Sequence, residues 1–229
     1  MSGLGAVIQA GGEGRRLRSI AAPKALAPLL DGTLLDWQLD RVSPVAAPVV
    51  VIAHHGAEAV SAHVAGRGEV IVEPAPLGTA GGLSLLPTGP EAWLVVNVDH
   101  VSDVALAAFV RAFEAAGRPP CLAALSAVAI SVDEGVVDVT DGRLTAWRER
   151  PVLRLPVTTG LYLFRADALR DALAVYGGGP VDMPALVEAL MPEVVAWHHP
   201  GWWIDAGTPE RLARAAALAS GSRRSAQPE

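Results

Sequence analysis

Continuous apolar runs alternate with helical patterns along the first hundred residues, and this alternation limits the possible folds more than any other feature. Each run lacks the polar alternation of a half-exposed strand, as expected for strands buried on both faces of a parallel sheet. The runs cover residues 5–9, 48–53, 69–73 and 93–97. Between them, apolar residues recur at helical spacing, at Leu35, Leu39 and Val42 and again at Ala57, Val60 and Val64. This series predicts an α/β fold in which helices cover both faces of a parallel sheet.

The pattern becomes mixed after residue 121, where strands and helices no longer alternate one by one. Strand-like segments occupy residues 122–128, 136–139, 144–147 and 159–165, and Asp141-Gly142 predicts a hairpin turn. Helical patterns cover residues 103–116, 166–175, 182–190 and 209–219, and Asp103 lies near the start of the first of these helices. We therefore expect a single domain over residues 1–219 and a flexible polar tail over residues 220–229.

Composition excludes several classes of protein. The 229 residues are 51% hydrophobic and 18% charged, which is typical of a globular protein. A formal net charge of −6 argues against general binding to nucleic acid or to anionic membranes, so a phosphate site must be locally basic. The single cysteine, Cys121, excludes an internal disulfide and fits a reducing compartment. Because there is neither a signal-peptide pattern nor an apolar run of roughly 18 to 20 residues, the expected location is the cytoplasm.

A glycine-rich loop follows the first predicted strand and reads Ala10-Gly11-Gly12-Glu13-Gly14-Arg15-Arg16-Leu17. Glycines permit close backbone approach there, and successive N–H groups can form an anion-binding nest. An ordinary tight turn is the alternative interpretation. Phosphate binding is favoured by a cluster of cations, since arginine forks onto phosphate oxygens and lysine adds a point charge. These cations are Arg15, Arg16, Arg18 and Lys24, and solvated surface charge is the alternative for each of them.

Two further segments of the first half carry candidate chemistry. In the glycine-rich stretch 73–83, Gly78 and Gly81 expose backbone groups that can bond the edge of a base, and Thr79 can cap a following helix. An ordinary connection between a strand and a helix is the alternative. The apolar run at 93–97 leads into Asp99, at the carboxyl edge of the predicted sheet, where ligands bind. A structural carboxylate that caps the next turn is the alternative there.

Together with segments nearer the carboxyl terminus, these motifs resemble those of the sugar-1-phosphate nucleotidyltransferases, or nucleotide-sugar pyrophosphorylases. The family shows Gly-Gly-x-Gly-Thr-Arg-Leu and Pro-Lys-x-Leu where this chain has residues 11–17 and 23–26, and Pro-Leu-Gly-Thr-Ala-Gly at 76–81. Its Glu-Lys-Pro, Asn-x-Gly-x-Tyr-x-Phe and Trp-x-Asp-x-Gly-Thr-Pro-Glu are similar to residues 149–151, 158–164 and 203–210. The resemblance spans residues 4–219. It implies a short catalytic core of Rossmann-like fold, with a mostly parallel sheet flanked by helices and a small mixed β subregion that binds the sugar.

The resemblance also implies a role for each matching residue. Arg16 and Lys24 would bind the triphosphate and act in catalysis with Asp99, while Asp99 and Asp205 would hold Mg²⁺, an ion that suits carboxylates combined with phosphate oxygens. The nucleotide-binding residues, in a half formed by residues 1–118, would be Ala10, Gly11, Gly12, Gly14, Arg15, Pro76, Gly78 and Thr79. The sugar-phosphate-binding residues would be Asn97 and, in a second half formed by residues 119–219, Glu149, Arg150, Thr159 and Gly160.

This chain departs from the family pattern at three informative positions. Arg15 stands where the family usually has Thr, Val98 replaces a glycine, and Arg150 replaces a lysine. We expect Val98 to narrow the approach to the sugar, and Arg150 to keep the charge while altering its geometry and reach. The adjacent pairs His54-His55 and His198-His199 lack the partners of a zinc site.

The implied reaction is the Mg²⁺-dependent transfer of a nucleotidyl group from a nucleoside triphosphate, with GTP or UTP favoured, to a sugar or sugar-like 1-phosphate. It yields a nucleoside diphosphate sugar and pyrophosphate. The expected partners are these two substrates and, as is common among relatives, a second copy in a homodimer, with neither nucleic acid nor membrane. One alternative is an enzyme of the same fold that acts on a molybdopterin or methylerythritol phosphate acceptor. A second is a noncatalytic nucleotide-sugar sensor, which the departures at Val98 and Arg150 suggest and the retained Asp99, Asp205 and Lys24 argue against.

Overall fold

The computed structural model describes residues 3–17, 19 and 23–225. Its strands are β1 (Leu4–Gln9), β2 (Pro28–Leu29), β3 (Gly32–Thr33), β4 (Val49–Ala53), β5 (Glu69–Val72), β6 (Ala92–Asn97), β7 (His100–Ser102), β8 (Cys121–Ser131), β9 (Val136–Thr140), β10 (Arg143–Arg148), β11 (Val152–Arg165), β12 (Val194–His198) and β13 (Trp203–Asp205). Its α-helices are α1 (Leu34–Val42), α2 (Ala57–Val64), α3 (Leu106–Ala115), α4 (Ala166–Ala174), α5 (Met183–Ala189) and α6 (Pro209–Ser225). Short 3₁₀ helices cover Arg15–Leu17, Lys24–Leu26 and Gly81–Leu85.

A seven-stranded sheet in the order β12-β8-β11-β6-β1-β4-β5 forms the centre of the fold. Its neighbouring strands are parallel except at β11, which runs antiparallel to both β8 and β6. Three of the four continuous apolar runs become β1, β4 and β6, every one of which is buried over nearly its full length. The fourth becomes β5, and its predicted burial on both faces is wrong, because β5 is an edge strand with exposed ends. The predicted α/β fold with a mostly parallel, Rossmann-like sheet is therefore confirmed. Two-stranded sheets join β2 to β3, β7 to β13 and β9 to β10.

Helices cover both faces of this sheet, because alternate strand residues point to opposite sides. On one face, Ala6 and Ile8 of β1 pack in a core with the apolar sides of α1, α2, α3 and α6. On the other face, Val7 packs with α4, α5 and the 3₁₀ helix Gly81–Leu85. In the part of the chain described here, we find no helix with the length and apolar character needed to cross a membrane.

Several elements begin or end at residues other than the predicted ones. The strands β8 and β11 extend beyond the sheet as a long antiparallel arm, paired from Val152 with Ser131 to Thr158 with Leu125. The helix α6 continues past the predicted end at residue 219 to Ser225. The flexible tail over residues 220–229 stays a prediction, and residues 226–229 lie outside the described residues.

The predicted helix start at Asp103 is wrong. The helix α3 begins at Leu106, and its N-cap residue Ala105 makes no capping bond from its side chain. The Asp103 carboxylate instead accepts a hydrogen bond from His199 Nε2 at 2.6 Å, a partner 96 residues further along the chain. A tertiary hydrogen bond therefore engages the side chain that local pattern placed near the start of the helix.

The helix α1 anchors the chain at the carboxyl end of β6. A capping box holds its start, with Asp36 N donating to Thr33 Oγ1 at 3.1 Å and Thr33 N donating to Asp36 Oδ2 at 2.9 Å. Two residues after Asp36, the amide of Gln38 is buried and donates to the carbonyls of residues 97, 98 and 100. Because these carbonyls flank Asp99, the helix fixes the backbone on which that carboxylate is carried.

Candidate active site

A cleft of about 430 Å³ lies at the carboxyl ends of β1, β4 and β6. In a parallel sheet, this edge is where ligands bind. Many of the predicted site residues line it, namely Gly11, Gly12, Lys24, Pro76, Gly78, Thr79, Asn97 and Asp99. Residues from the loop, the glycine-rich segment and the end of β6, far apart in sequence, thus share one cavity.

The glycine-rich loop runs beside the side chain of Lys24, the only lysine of the chain. The Lys24 side chain is 17% exposed, and its Nζ lies 2.7 Å from Asp99 Oδ2. A Cβ at Gly14 would lie 2.5 Å from the Cβ of Lys24, so glycine leaves the room that the lysine stem occupies. Ala10 is buried and donates its N–H to the carbonyl of Ile52 at 2.8 Å, which fixes the start of the loop.

Asp99 and Asp205 meet, although they are separated by almost half the chain. The antiparallel pairing of β7 with β13 sets Asp205 opposite His100, and Ala206 N donates to the carbonyl of Asp99 at 2.9 Å. The two carboxyl groups lie close enough for each to shift the pKa of the other. A Cβ at Gly207 would lie 2.8 Å from Asp205 Oδ1 and 3.5 Å from Asp99 Oδ2. Glycine at that position therefore keeps open the space in front of both carboxylates.

The pKa values of the two carboxyl groups are shifted in opposite directions. Burial opposes the charged form of Asp99, but the positive charge and hydrogen bond of Lys24 outweigh it and lower the pKa of Asp99. Burial raises the pKa of Asp205, and the negative charge of Asp99 raises it further. Asp205 also accepts hydrogen bonds from Gly207 N at 2.9 Å and Arg211 NH1 at 3.1 Å. The surroundings therefore favour the charged form of Asp99 and oppose that of Asp205. An additional cation beside the pair would favour the ionisation of Asp205.

This pair fits Mg²⁺ better than a metal that needs a full set of protein ligands. Within the described ranges, no group of three or more His, Cys, Asp or Glu side chains is placed to hold a metal ion. Mg²⁺ is usually held by one or two carboxylates, with waters and substrate phosphates completing its octahedron. The donors Asp99 and Asp205 match that requirement.

Only part of the predicted cation cluster lies beside the two aspartates. Arg16 belongs to the site, because its guanidinium NH2 lies 3.3 Å from the position of a Cβ on Gly207, in front of the aspartate pair. Arg15 has an 80% exposed side chain and is paired with Glu13 at 2.5 Å, and Arg18 lies outside the described residues. Of the predicted cluster, Arg16 and Lys24 are therefore the described cations that meet the carboxylates, and Arg211 joins them at Asp205.

Thr79 caps a helix, but not the one predicted. The 3₁₀ helix that follows it has Ala80 at its N-cap and no capping bond from a side chain. The Thr79 hydroxyl instead accepts a hydrogen bond from Met183 N at 2.7 Å, at the start of α5, and donates to Asp182 Oδ1 at 3.3 Å. The segment that holds Gly78 and Thr79 is therefore tied to a helix about 100 residues away.

Glu73 is a cleft residue to which the motifs gave no role. Its carboxylate is 7% exposed and lies between Gly11 and Gly82, where a Cβ on either glycine would collide with it. Burial raises the pKa of Glu73, and the nearby charge of His54 opposes that shift only in part. A buried carboxylate in the wall of a cleft is costly unless it is paired, so it is a candidate ligand contact. Its position just after β5, at the same sheet edge as Asp99, is the signal that could have found it.

The predicted sugar-side residues are only partly brought together. A Cβ on Gly160 would lie 2.6 Å from Asn97 Nδ2, so Gly160 packs against a residue of the cleft wall. Thr159 is buried, donates its hydroxyl to the carbonyl of Ala124 at 3.0 Å and accepts from His100 Nδ1 at 2.8 Å through its own carbonyl. Glu149 and Arg150 follow β10 on the exposed arm and do not line the cleft, and Glu149 accepts from Trp147 Nε1 at 3.0 Å.

The expectation that Val98 narrows the cleft is wrong. Its side chain is 1% exposed and packs in the core beneath the sheet edge. Asn97 and Asp99 line the cleft, whereas Val98, in the turn that follows β6, is buried in the core. Replacement of glycine here therefore adds core volume and leaves the cleft unchanged.

The fold and these contacts define a class of α/β protein, with a glycine-lined cleft that ends at a carboxylate pair beside lysine and arginine side chains. The chain belongs to the nucleotidyl transferase family, whose family model matches residues 5–220. This assignment confirms the resemblance seen in the motifs.

The similar proteins include longer chains. The chain is 28% identical over 225 residues to a bifunctional IPC transferase and DIPP synthase of Rubrobacter xylanophilus, covering 92% of this chain and 50% of the other. It is 27% identical over 236 residues to the low-salt glycan biosynthesis nucleotidyltransferase Agl11 of Haloferax volcanii, covering 93% of this chain and 65% of the other. The chain thus spans between half and two thirds of these relatives.

A solved structure supports the fold. A protein from Bacillus anthracis assigned as a glucose-1-phosphate thymidylyltransferase, in complex with sucrose, aligns with a TM-score of 0.72 at 22% identity. The alignment covers 94% of this chain and 95% of the other. The whole described sheet, including its antiparallel β11, therefore belongs to a known architecture.

Proposed function

We propose that this protein transfers a nucleotidyl group from a nucleoside triphosphate to a sugar or sugar-like 1-phosphate and releases pyrophosphate. The observation that carries the proposal is the meeting of Asp99, Asp205, Lys24 and Arg16 at one end of a glycine-lined cleft. Family membership supports nucleotidyl transfer on substrates of the sugar-phosphate type.

The reaction places two mutually repelling phosphates side by side. A phosphate oxygen of the sugar 1-phosphate forms a bond to the α-phosphorus, and the bond from that phosphorus to the β-phosphate bridging oxygen breaks with release of pyrophosphate. Since the nucleophile is already an anion, no general base is needed, and catalysis requires alignment and charge neutralisation. This requirement agrees with a site whose described residues include Lys24, Arg16 and the carboxylates of Asp99 and Asp205.

Each residue of the cluster has a distinct part in this proposal. Lys24, whose Nζ lies 2.7 Å from Asp99 Oδ2, would place its ammonium group against an α-phosphate oxygen. Arg16 would hold the leaving pyrophosphate. Asp99 and Asp205 would hold Mg²⁺, whose charge, when bound, neutralises phosphate oxygens and makes the α-phosphorus more electrophilic. The backbone of Gly11 and Gly12 would bind the triphosphate, with Arg15 at the rim of the loop.

The sugar side of the proposal depends on Asn97 and on the exposed arm. Asn97 lines the cleft, Gly160 packs against it, and Thr159 donates its hydroxyl to the carbonyl of Ala124. Glu149 and Arg150, in the connection between β10 and β11, would contact the sugar phosphate. Their roles, the cytoplasmic location suggested by the buried free thiol of Cys121, and the homodimer stay predictions.

We further propose that the nucleobase is guanine rather than uracil, because of the position of Glu73 in the cleft. Guanine presents two adjacent N–H donors at its Watson–Crick edge, and a carboxylate can accept from both at once. Uracil presents a single N–H between two carbonyl acceptors, one of which would face a carboxylate oxygen with no proton between them. The buried Glu73 carboxylate beside Gly82 therefore suits GTP better than UTP.

The test of function is a matrix of nucleoside triphosphates against hexose, heptose, amino-sugar and cyclitol phosphates, with pyrophosphate release as the measurement. We expect at least one pair to be turned over with GTP preferred and with an absolute requirement for Mg²⁺. Nucleotide-sugar binding without pyrophosphate release in any combination would instead support the sensor. Turnover only with molybdopterin or methylerythritol phosphate would support the other acceptor class.

Glu73→Gln is expected to reduce the preference for GTP over UTP by about 10- to 100-fold in kcat/KM, the range of one lost bidentate base contact. The amide keeps the size of the side chain but replaces one acceptor by a donor. Glu69→Gln, at the exposed start of the same strand β5, is the matched control and should leave the preference unchanged. An unaltered preference in Glu73→Gln would refute the assignment of the base while leaving nucleotidyl transfer intact.

A further inference from the structure

The segment that resembles the base-recognition motif is fastened to the chain just before α5. Val181 N donates to the carbonyl of Leu77 at 2.8 Å, and the carbonyl of Val181 accepts from Ala80 N at 2.8 Å and from Gly81 N at 3.1 Å. Val181 and Ala80 are both buried. These backbone bonds close a short, sheet-like contact between the two halves of the domain.

Asp182 adds contacts from a side chain to this junction. Its Oδ1 accepts from Thr79 N at 3.1 Å and from Thr79 Oγ1 at 3.3 Å, while the same hydroxyl accepts from Met183 N at 2.7 Å. From the other side, Gln9 Nε2 donates to the carbonyl of Thr79 at 2.7 Å. The N–H, the carbonyl and the hydroxyl of Thr79 are therefore all engaged by the protein.

These contacts leave Gly78 as the residue whose backbone can meet a ligand. Gly78 lines the cleft, and within the described part of the chain no hydrogen bond engages its N–H or its carbonyl. Its φ of +78° and the 2.5 Å that would separate a Cβ from the carbonyl of Val181 both require glycine. Because N–H and C=O of a trans peptide point in opposite directions, the bond from Thr79 N to Asp182 also fixes the direction of the Gly78 carbonyl.

We propose that Asp182 is a positioning residue for nucleotide recognition: it orients the peptide between Gly78 and Thr79 so that Gly78 presents its backbone to the nucleobase. This inference rests on the proposed function and assigns to Asp182 a part that none of the motifs contains. Asp182 does not touch the reacting atoms, so its effect is on the binding and selection of the nucleotide.

The first test compares Asp182→Ala with Asp182→Asn, in which the amide oxygen can still accept from Thr79. Loss of the two bonds should raise the KM and the dissociation constant for the nucleotide about 10-fold, lower the preference among bases, and change kcat by less than about 3-fold. Asp182→Asn should return the dissociation constant to within about 3-fold of the wild type. Asp171→Ala, an exposed acid on α4, is the control and should have no effect.

A double-mutant cycle separates this role from general loosening of the fold. Thr79→Val removes the hydroxyl, and its effect on the nucleotide dissociation constant should be non-additive with that of Asp182→Ala, because both variants break one junction. Circular dichroism and the melting temperature of each variant verify that it folds. Titration calorimetry with GTP and with UTP gives the dissociation constants without need for turnover.

Distinct results would overturn the inference and the proposed function. Wild-type nucleotide affinity and base preference in Asp182→Ala would overturn the inference, and so would an Asp182→Asn variant as impaired as Asp182→Ala. An equal rise in KM for nucleotide and sugar phosphate, with a lower melting temperature, would also do so by indicating a merely structural role. A wild type that binds nucleotide but releases no pyrophosphate would instead refute the proposed function.

Discussion

Asp99→Asn is expected to lower kcat for nucleotidyl transfer by about 1,000-fold or more, because it removes one of two carboxylates that would hold the metal and weakens the hold on Lys24. A metal contributes several kcal/mol of charge stabilisation in such reactions, and each 1.36 kcal/mol is a factor of ten in rate. The substitution keeps the shape of the side chain, so the fold should survive. Pyrophosphate release at saturating substrates, measured over a series of Mg²⁺ concentrations, determines the effect.

Two companion variants sharpen this expectation. Asp205→Asn should be impaired to a similar degree, and both variants should need more Mg²⁺ for half-maximal activity than the wild type. Asp103→Asn alters a carboxylate four residues from Asp99 that pairs with His199 outside the cleft, and it should retain activity. An Asp99→Asn enzyme with the wild-type rate and Mg²⁺ requirement would show that the carboxylate pair is not the metal site.

Lys24→Met should reduce kcat by about 100- to 1,000-fold, the loss typical for one preorganised group that stabilises developing charge. Methionine preserves most of the stem that packs beside Gly14 and removes only the ammonium group. Since the lysine charge is aimed at the α-phosphate in the proposed reaction, kcat should fall more than the affinity for the sugar phosphate. Rapid-quench measurement of a single turnover would isolate the chemical step.

The control for this variant is Arg111→Ala, which removes an exposed positive charge from α3 and should have no effect on the rate. Lys24→Arg provides a second comparison, because it keeps the charge on a longer, planar group. It should recover only part of the lost rate. If Lys24→Met and the wild type were equally fast, the ion pair with Asp99 would be purely structural and the assignment of the α-phosphate contact would be wrong.

The elements set by local pattern could be predicted from the sequence, and those set by distant contacts could not. The strands β1, β4 and β6 were predictable because burial on both faces requires an unbroken apolar run. The start of α3 was not, since Asp103 pairs with His199 far along the chain. The partner of Thr79 was missed for the same reason, because Asp182 and Met183 approach it only after α5 packs.

The candidate site shows the same division. Motif resemblance selected Lys24, Asp99 and Asp205. The two aspartates meet because β7 pairs with β13. The motif resemblance gave Glu73 no role. Nothing in the neighbouring sequence distinguishes this carboxylate at the end of a short strand, and only the folded structure shows that Gly11 and Gly82 enclose it. Val98 was misjudged because the direction of a side chain at a strand end depends on which face the neighbouring residues occupy.

A practical consequence follows from the uniqueness of Lys24. Apart from the terminal amine, this side chain carries the only primary amine of the protein, and it lies against Asp99 at 17% exposure. Reductive methylation with ¹³C-formaldehyde would therefore place an isotopic reporter inside the cleft, and its chemical shift should change on addition of nucleotide. Conversely, an amine-reactive resin or dye that couples to Lys24 would block the cleft, and the single cysteine is buried, so immobilisation through a tag is the appropriate choice for binding assays.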